Sequence, residues 1–488
     1  MKCKHYILSI AFILMLAGFY SCEDFLDREP LSNYSNESLG VTEKDTAGTK
    51  TYSADEMESL LKGAYADFKN EYFMLDYFII GDAQSDNAYA GADNPNMFEV
   101  DEFRIIATNQ LVNRDWGYLY GMVAKCNTVI ENVANTTGLS QERKDQILGE
   151  ASFIRAWAYF DIVRLWGTVP VILRDVSGIN SENLPEVYPI LYPEPKQASE
   201  VYQQILADLE TALPKVRETA PDKGYATKGA VNALLAKVYA AMHDYDKVKT
   251  YCDAVIAGGY TLLPEYDKLW NNSAENSAES VFEINCYDWG TGGNWGVFMF
   301  AGTDWKKFCV PTNDLVKAFD DENDHIRKSS SITFADVTGK WTDKYWTTDH
   351  YPFVNKYRDF SGAQNFILIR LADILLLKAE ALVETGDISG AMGLVNQVRA
   401  RVSLPPRGTS SADEARRIIE KERRLELAFE GHRWFDLLRT GRAISVMNNQ
   451  RDGKNKPLGY NLTEYKLLWP IPQSELDKNP KLIQNPGY

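Results

Sequence analysis

Three glutamates open the chemical reading of this chain. Glu422, Glu426 and Glu430 lie at i, i+4 and i+8 in the block ERRLELAFE, so a helix would set them in one stripe. Paired carboxylates can do acid/base work on a glycosidic bond. Here Arg423, Arg424 and Arg433 flank them, and such neighbours hold acids ionised, which suits salt bridges and not a protonated general acid. No catalytic residue is therefore assigned. His432, in Gly-His-Arg-Trp, reads as a packed histidine rather than a base.

Metal and phosphate chemistry find even less. Leaving out His5, four histidines remain and none forms an HxxxH pair. Asp320-Asp-Glu322-Asn-Asp324 resembles the start of a calcium loop but lacks its glycine and distal glutamate, so it reads as a solvated acidic turn. The glycine-rich run Gly290 to Gly296 misses the dinucleotide spacing and precedes no capped helix. No metal or cofactor is expected.

Binding asks for less, and the residues for it are abundant. Between 259 and 360 lie six of the eleven tryptophans, among Gly, Asn, Asp, Ser and Thr with little helical period. Sugars present apolar C–H faces and a rim of hydroxyls, so a site needs flat aromatic rings bordered by Asn, Asp or Arg. Asn285 to Trp305 supplies Tyr287, Trp289, Trp295, Phe298 and Trp305 beside Asn285, Asp288, Asn294 and Asp304. Asp86, Asn87 and Tyr89, followed by Asn94 and Asn96, make a second source; Trp341, Tyr345 and Trp346 make a third. The same composition also suits a small irregular subdomain whose aromatics pack on one another. Cys286 and Cys309 flank this aromatic stretch and could pair, though spacing alone leaves that open. Cys126 and Cys252 fall in helical patterns and read as buried thiols, and no CxxC occurs.

A mainly helical frame must position these loops. Ser53 and Glu56 form a capping box for a helix to about Asn70; further helical patterns cover Arg114 to Asn135, Gln141 to Trp166 with Phe153, Trp157 and Phe160 on one face, and Ser199 to Leu213 with Ser199 as cap. Two stretches repeat each other. ALLAKVYAAMHDYDKVKTYCDAVIAGG aligns with LLLKAEALVETGDISGAMGLVNQVRAR when His243-Asp244-Tyr245 is set on Gly386-Asp387-Ile388, which puts Val248 opposite Ala391. Helix, Asp-containing turn, helix with an early small residue is the tetratricopeptide hairpin. About four such hairpins in a curved stack, with a long irregular loop region and little β structure, is the expected fold.

The 488 residues, 45% hydrophobic and 25% charged, suit a globular protein with a core of normal size. The net charge of −16 would repel phosphate backbones, which excludes nucleic acid as the expected partner. At the start, Lys2 and Lys4 precede an apolar run from Tyr6 to Tyr20 that ends at Ser21-Cys22, too short for a comfortable membrane span. It reads as a secretory signal over 1–21 with Cys22 as a lipidation site, although Phe19 and Tyr20 depart from the usual lipobox. A polar tether follows over 22–51, and 52–488 is expected to form a single domain. Ile367 to Val383 is too charged to span a membrane.

Several blocks together resemble one family. The start Cys22-Glu-Asp-Phe-Leu-Asp27, GEASFIRAWAYFDIVRLWGTVPVI from Gly149, ATKGAVNALLAKVYAAMHDY from Ala226, IRLADILLLKAEALVETGD from Ile369, ERRLELAFEGHRWFDLLRTG from Glu422 and the closing LWPIPQSELDKNPKLIQNPGY resemble the SusD/RagB lipoproteins, in the same order and over the whole mature chain. That resemblance implies a tetratricopeptide-like body anchored by lipid to the outer membrane, surface-exposed, beside a SusC-like TonB-dependent transporter. It implies capture of a glycan, or in the RagB branch a peptide, with no reaction catalysed. A surface hydrolase or a purely structural transporter lid are the remaining readings.

Overall fold

A computed structural model describes residues 51–176, 183–271, 274–289 and 292–488. The signal, Cys22 and the tether lie outside the described residues.

The long helices form where the sequence supplies caps and an apolar stripe. Ser53 caps α1 (Ala54–Ala66), its hydroxyl accepting from Glu56 N while Ser53 N donates to the Glu56 carboxylate at 2.8 Å. Then come α2 (Gln110–Asn132) and α3 (Gln141–Trp166), the latter stopped by Gly167 at φ +72°. The periodicity predicts one apolar face for α3; the helix is instead buried on every side from Gly149 to Val163 and packs at the centre of the molecule. Its charged groups survive burial because each has a partner. Arg155 bonds the Asp208 carboxylate with both Nε (2.9 Å) and Nη2 (2.6 Å), and the Glu150 carboxylate accepts from Tyr65 Oη at 2.8 Å.

Next are α4 (Ala198–Ala212), α5 (Lys228–Ala241), α6 (Tyr245–Ala257), α7 (Leu371–Glu384), α8 (Ile388–Arg401) and α9 (Ala412–Glu426). The cap of helix α4 lies two residues earlier than expected: Gln197, not Ser199, precedes it, with Gln197 N on the Glu200 carboxylate at 3.1 Å. The two repeated stretches are α5–α6 and α7–α8. Asp244 and Asp387 cap the second helix of each, accepting from Lys247 N and Gly390 N, and the residues before them, His243 and Gly386, both take positive φ. Val248 and Ala391 are fully buried where paired helices approach. In space α3 packs on α2 and α4, α6 on α5 and α7, and α7 on α8 and α9, so the helices form a continuous stack of hairpins. The main apolar core runs from Tyr52 to Ile471, and a second cluster from Leu371 to Ile419 fills the space between α7, α8 and α9.

The region between the two repeats is more regular than its composition suggested. It carries β1 (Ser280–Ile284), a hairpin of β2 (Ile332–Ala335) and β3 (Tyr351–Val354), and the short helices Gly296–Phe300, Asn313–Asp321 and His325–Ser331. Strand β1 pairs antiparallel with β4 (Phe366–Arg370), which leads directly into α7. That pairing anchors the loops following β1 and preceding β4 to the helical stack. Cys286 and Cys309 are both free and buried, so they do not pair. Among the described residues no helix is long and apolar enough to cross a membrane.

Candidate functional site

The glutamate stripe lies in the interior. Glu422, Glu426 and Glu430 are all buried, but the flanking arginines do not hold them. Arg423 reaches Asp373 and Asp436, while Arg424 and Arg433 both reach Asp86. The cations on the stripe come from elsewhere in the chain: Arg327 on Glu422 and Glu426, Arg399 on Glu422, Arg370 on Glu426 and Glu430, Arg401 on Glu426, and Lys356 on Glu430. Burial pushes the Glu426 and Glu430 carboxyls up, and the surrounding cations more than offset it, so both are held below the usual carboxylate range. His432 is buried against the Lys237 ammonium at 3.3 Å, and burial followed by that charge lowers it to about 3, leaving it neutral.

The acidic turn is not simply solvated. Glu322 turns inward to Arg399, Arg407 and Lys421, and buried Asp324 caps the helix His325–Ser331 and pairs with Arg327. Asp320 and Asp321 do face solvent, with Lys328 and Lys317. No group of three His, Cys, Asp or Glu among the described residues could hold a metal. Past the glycine run a short helix does follow, Gly296–Phe300, with Asn294 Oδ1 accepting from Val297 N.

The aromatic and polar candidates separate into three places. Asp86 and Asn87 belong to the interior: Asp86 takes Arg433 Nε at 2.7 Å, and Asn87 bridges Asp82 and Arg424. Burial raises the Asp86 carboxyl, but Arg424 and Arg433 bring it down to about 2. Tyr89, Trp341, Tyr345 and Trp346 gather around Asp343 with Tyr351 and Phe353 in a small separate core. Asp343 accepts from Tyr89 Oη (2.8 Å) and from Tyr345 N and Trp346 N, and pairs with Lys306, while Trp346 Nε1 donates to Pro311 O. Trp305, half-buried, lies against Phe308 under the Lys307 ammonium. Trp295 packs on the main core.

The third place is an exposed surface at the end of β1. Tyr287 is 53% exposed and Trp289 49%. The Trp289 indole is fixed despite its exposure. Its Nε1 donates to Phe360 O at 3.1 Å, and its ring lies 5.4 Å from Phe298, which in turn lies 5.1 Å from Phe360. Gly293 and Gly362 form its bed. A Cβ on Gly362, which has φ +82°, would sit 2.9 Å from the indole, so only glycine permits this seat. Asn294 holds the bed together, its N donating to Gly362 O (2.7 Å) and its Nδ2 to Gln364 O (2.7 Å).

Three further residues complete this surface, and the sequence did not single them out. Phe360 is 41% exposed beside Trp289. Tyr225, 40% exposed, reaches the surface from the turn before α5, which is tied to β1 by Glu283 N on Lys223 O and by Asn285 Nδ2 on Asp222 Oδ1. Burial, then the neighbouring Asp222 and Tyr287, raise the Tyr225 phenol. The Lys69 ammonium stands 4.7 Å over the Tyr287 ring. These residues come from α1's end, the α5 turn, the loop after β1 and the loop before β4. Their convergence had no signal in a single local window.

The fold and this surface define a helical-repeat scaffold that carries a fixed, solvent-facing aromatic platform on its loops. Residues 24–240 match a family model described as starch-binding associating with outer membrane, and residues 294–488 match the SusD family model. A SusD-like protein of Formosa agariphila is 27% identical, with both chains covered in full. Among solved structures, a laminarin-binding SusD-like protein superposes with a TM-score of 0.74 at 24% identity, over 90% of this chain and 100% of its own. A SusD superfamily protein from Bacteroides vulgatus gives 0.77 at 21%, over 89% and 99%. The chain belongs to the SusD-like family.

Proposed function

We infer that this protein captures oligosaccharide or polysaccharide chains at the outer surface and hands them, unchanged, to a SusC-like TonB-dependent transporter of the outer membrane. The observation that carries the reading is the Trp289 platform. A flat ring locked by a hydrogen bond and two glycines, flanked by exposed Tyr287, Tyr225 and Phe360, offers apolar sugar faces a surface whose ordering is already complete. Relatives described as laminarin-binding and starch-binding support the same class of ligand. Lipid attachment at Cys22, outside the described residues, would keep the body at the membrane.

The platform narrows the candidate residues. Tyr287 and Trp289 remain as the rings exposed to stack on a sugar, and Trp305, half-buried against Phe308, remains a candidate. Asp86, Asn87, Asn294, Tyr89, Trp341, Tyr345 and Trp346 spend their polar groups or rings inside the protein and support the loops. With two or three stacking contacts of about 1 kcal/mol each beyond burial, plus edge hydrogen bonds, affinity falls at roughly micromolar to millimolar. Such weak capture allows release into a transporter.

Affinity electrophoresis and calorimetry against a panel of polysaccharides and a peptide digest test this reading. Binding of one glycan class, abolished by Trp289→Ala, is the expected result. A response to peptides alone would move the protein to the RagB-type role.

A further inference from the structure

Lys69 borders the platform as a cation. It closes the short turn Asp67–Lys69 after α1, half-buried, with its ammonium 4.7 Å from the Tyr287 ring centroid. The ring's negative face holds the cation in place. Among the described residues no carboxylate lies within ion-pair reach of it. Its neighbours on the next loop contrast with it, since Lys306 takes Asp343 at 2.7 Å and Lys307 takes Asp304 at 2.6 Å. Of the other cations near the platform, Lys223 lies over Tyr260, and Arg217 bonds Gln146.

The approach to Lys69 is also open. On one side stands Gly292, where an added Cβ would lie 3.7 Å from the ammonium, so glycine leaves that side of Lys69 uncrowded. Gly292 adjoins Gly293, on which the Trp289 indole rests, so one sugar ring stacked at Trp289 brings its neighbour's substituents toward Lys69. A half-buried ammonium held without a counter-charge is where an anionic group of a ligand is accepted with a charge-assisted hydrogen bond.

We propose that the platform takes an acidic glycan, with a ring carboxylate or sulfate paired to Lys69 while a neighbouring ring stacks on Trp289. The proposal rests on the glycan-capture reading above and gives it a ligand class. The overall charge of −16 does not oppose it, because repulsion from distant surface charges is screened beyond about 8 Å at physiological salt.

The test compares matched polymers on the same protein by calorimetry: polygalacturonate and alginate with their carboxyl-reduced forms, and chondroitin sulfate with its desulfated form. An acidic polymer should bind at least tenfold tighter than its neutral counterpart, and more weakly as salt rises. The carboxylate and sulfate arms distinguish the two kinds of anion. Lys69→Gln should erase the preference and flatten the salt dependence, and Lys69→Arg should keep both. Equal binding of neutral and acidic forms, or a preference that survives Lys69→Gln, overturns the proposal while a Trp289-dependent signal leaves glycan capture standing. Failure of every glycan, charged or neutral, would sink both.

Discussion

Arg370 grips Glu430 through two parallel hydrogen bonds, Nε to Oε2 at 2.7 Å and Nη2 to Oε1 at 2.8 Å, with neither side chain reaching solvent. The same guanidinium also reaches Glu279 and Glu426, so one cation at the end of β4 ties together β1 and the end of α9. The knot holds one end of the β1–β4 ribbon to the helices, and the platform loops leave from the ribbon's other end, after Ile284 and before Phe366.

Removing that cation would leave three buried carboxylates each one partner short, although Arg401 remains on Glu279 and Glu426, Arg327 on Glu426 and Lys356 on Glu430. Arg370→Met should therefore lower stability by about 3–5 kcal/mol, the range for breaking a buried ionic group by deleting one partner. Urea unfolding measures it. A loss below about 1 kcal/mol would show that the knot is not what holds the two strands to the helices.

His432 sets a pH dependence of its own. Its ordinary value of 6.5 falls to about 3 in the folded protein. The unfolded chain thus binds a proton that the folded chain refuses between those values. The neutral histidine's contribution is complete above about 6.5 and is lost as pH falls toward 3, at up to roughly 1.4 kcal/mol per pH unit. His432→Phe should show a shallower fall in unfolding free energy from pH 6.5 to pH 4 than the unmodified protein. Parallel curves would refute this assignment.

Much of the frame could be read from the sequence because its signals are local. Ser53 with Glu56, and Asp244 matched to Asp387, each decide a helix start within four residues. The helical stack follows from the repeat. Pairings between distant segments were not legible: the arginines beside the glutamate stripe look like its partners, yet Arg327, Arg370, Arg399 and Arg401 take those places. The platform was half visible. Trp289 and Tyr287 stand out as aromatics in a polar loop, whereas Tyr225, Phe360 and Lys69 join them only through folding.

The two aromatic groups should respond differently to deletion. Trp346 anchors the small core around Asp343, with Nε1 on Pro311 O at 2.9 Å and its ring 5.9 Å from Phe334. Trp346→Ala should cost about 2–3 kcal/mol of stability and leave glycan affinity within twofold at temperatures where the protein stays folded. Trp289→Ala should do the reverse, weakening binding at least tenfold, about 1.4 kcal/mol, with little change in Tm. Paired thermal unfolding and calorimetry separate them. Loss of binding in the folded Trp346 variant would extend the ligand surface to that core.

Gly362→Ala tests the seat of the indole without touching the ring. At φ +82° the new methyl group would meet the indole at 2.9 Å, so either the 358–364 loop or Trp289 must shift. A side chain in this backbone region also adds about 1–2 kcal/mol of strain. The Nε1 bond to Phe360 O sits on the same loop and would be disturbed in the same movement. Tryptophan fluorescence should change as the indole leaves its bed, and glycan affinity should fall several-fold even though every aromatic residue is retained. If both stay as they were, a freely rotating ring serves as well as a fixed one, and the preorganised platform is not the source of binding.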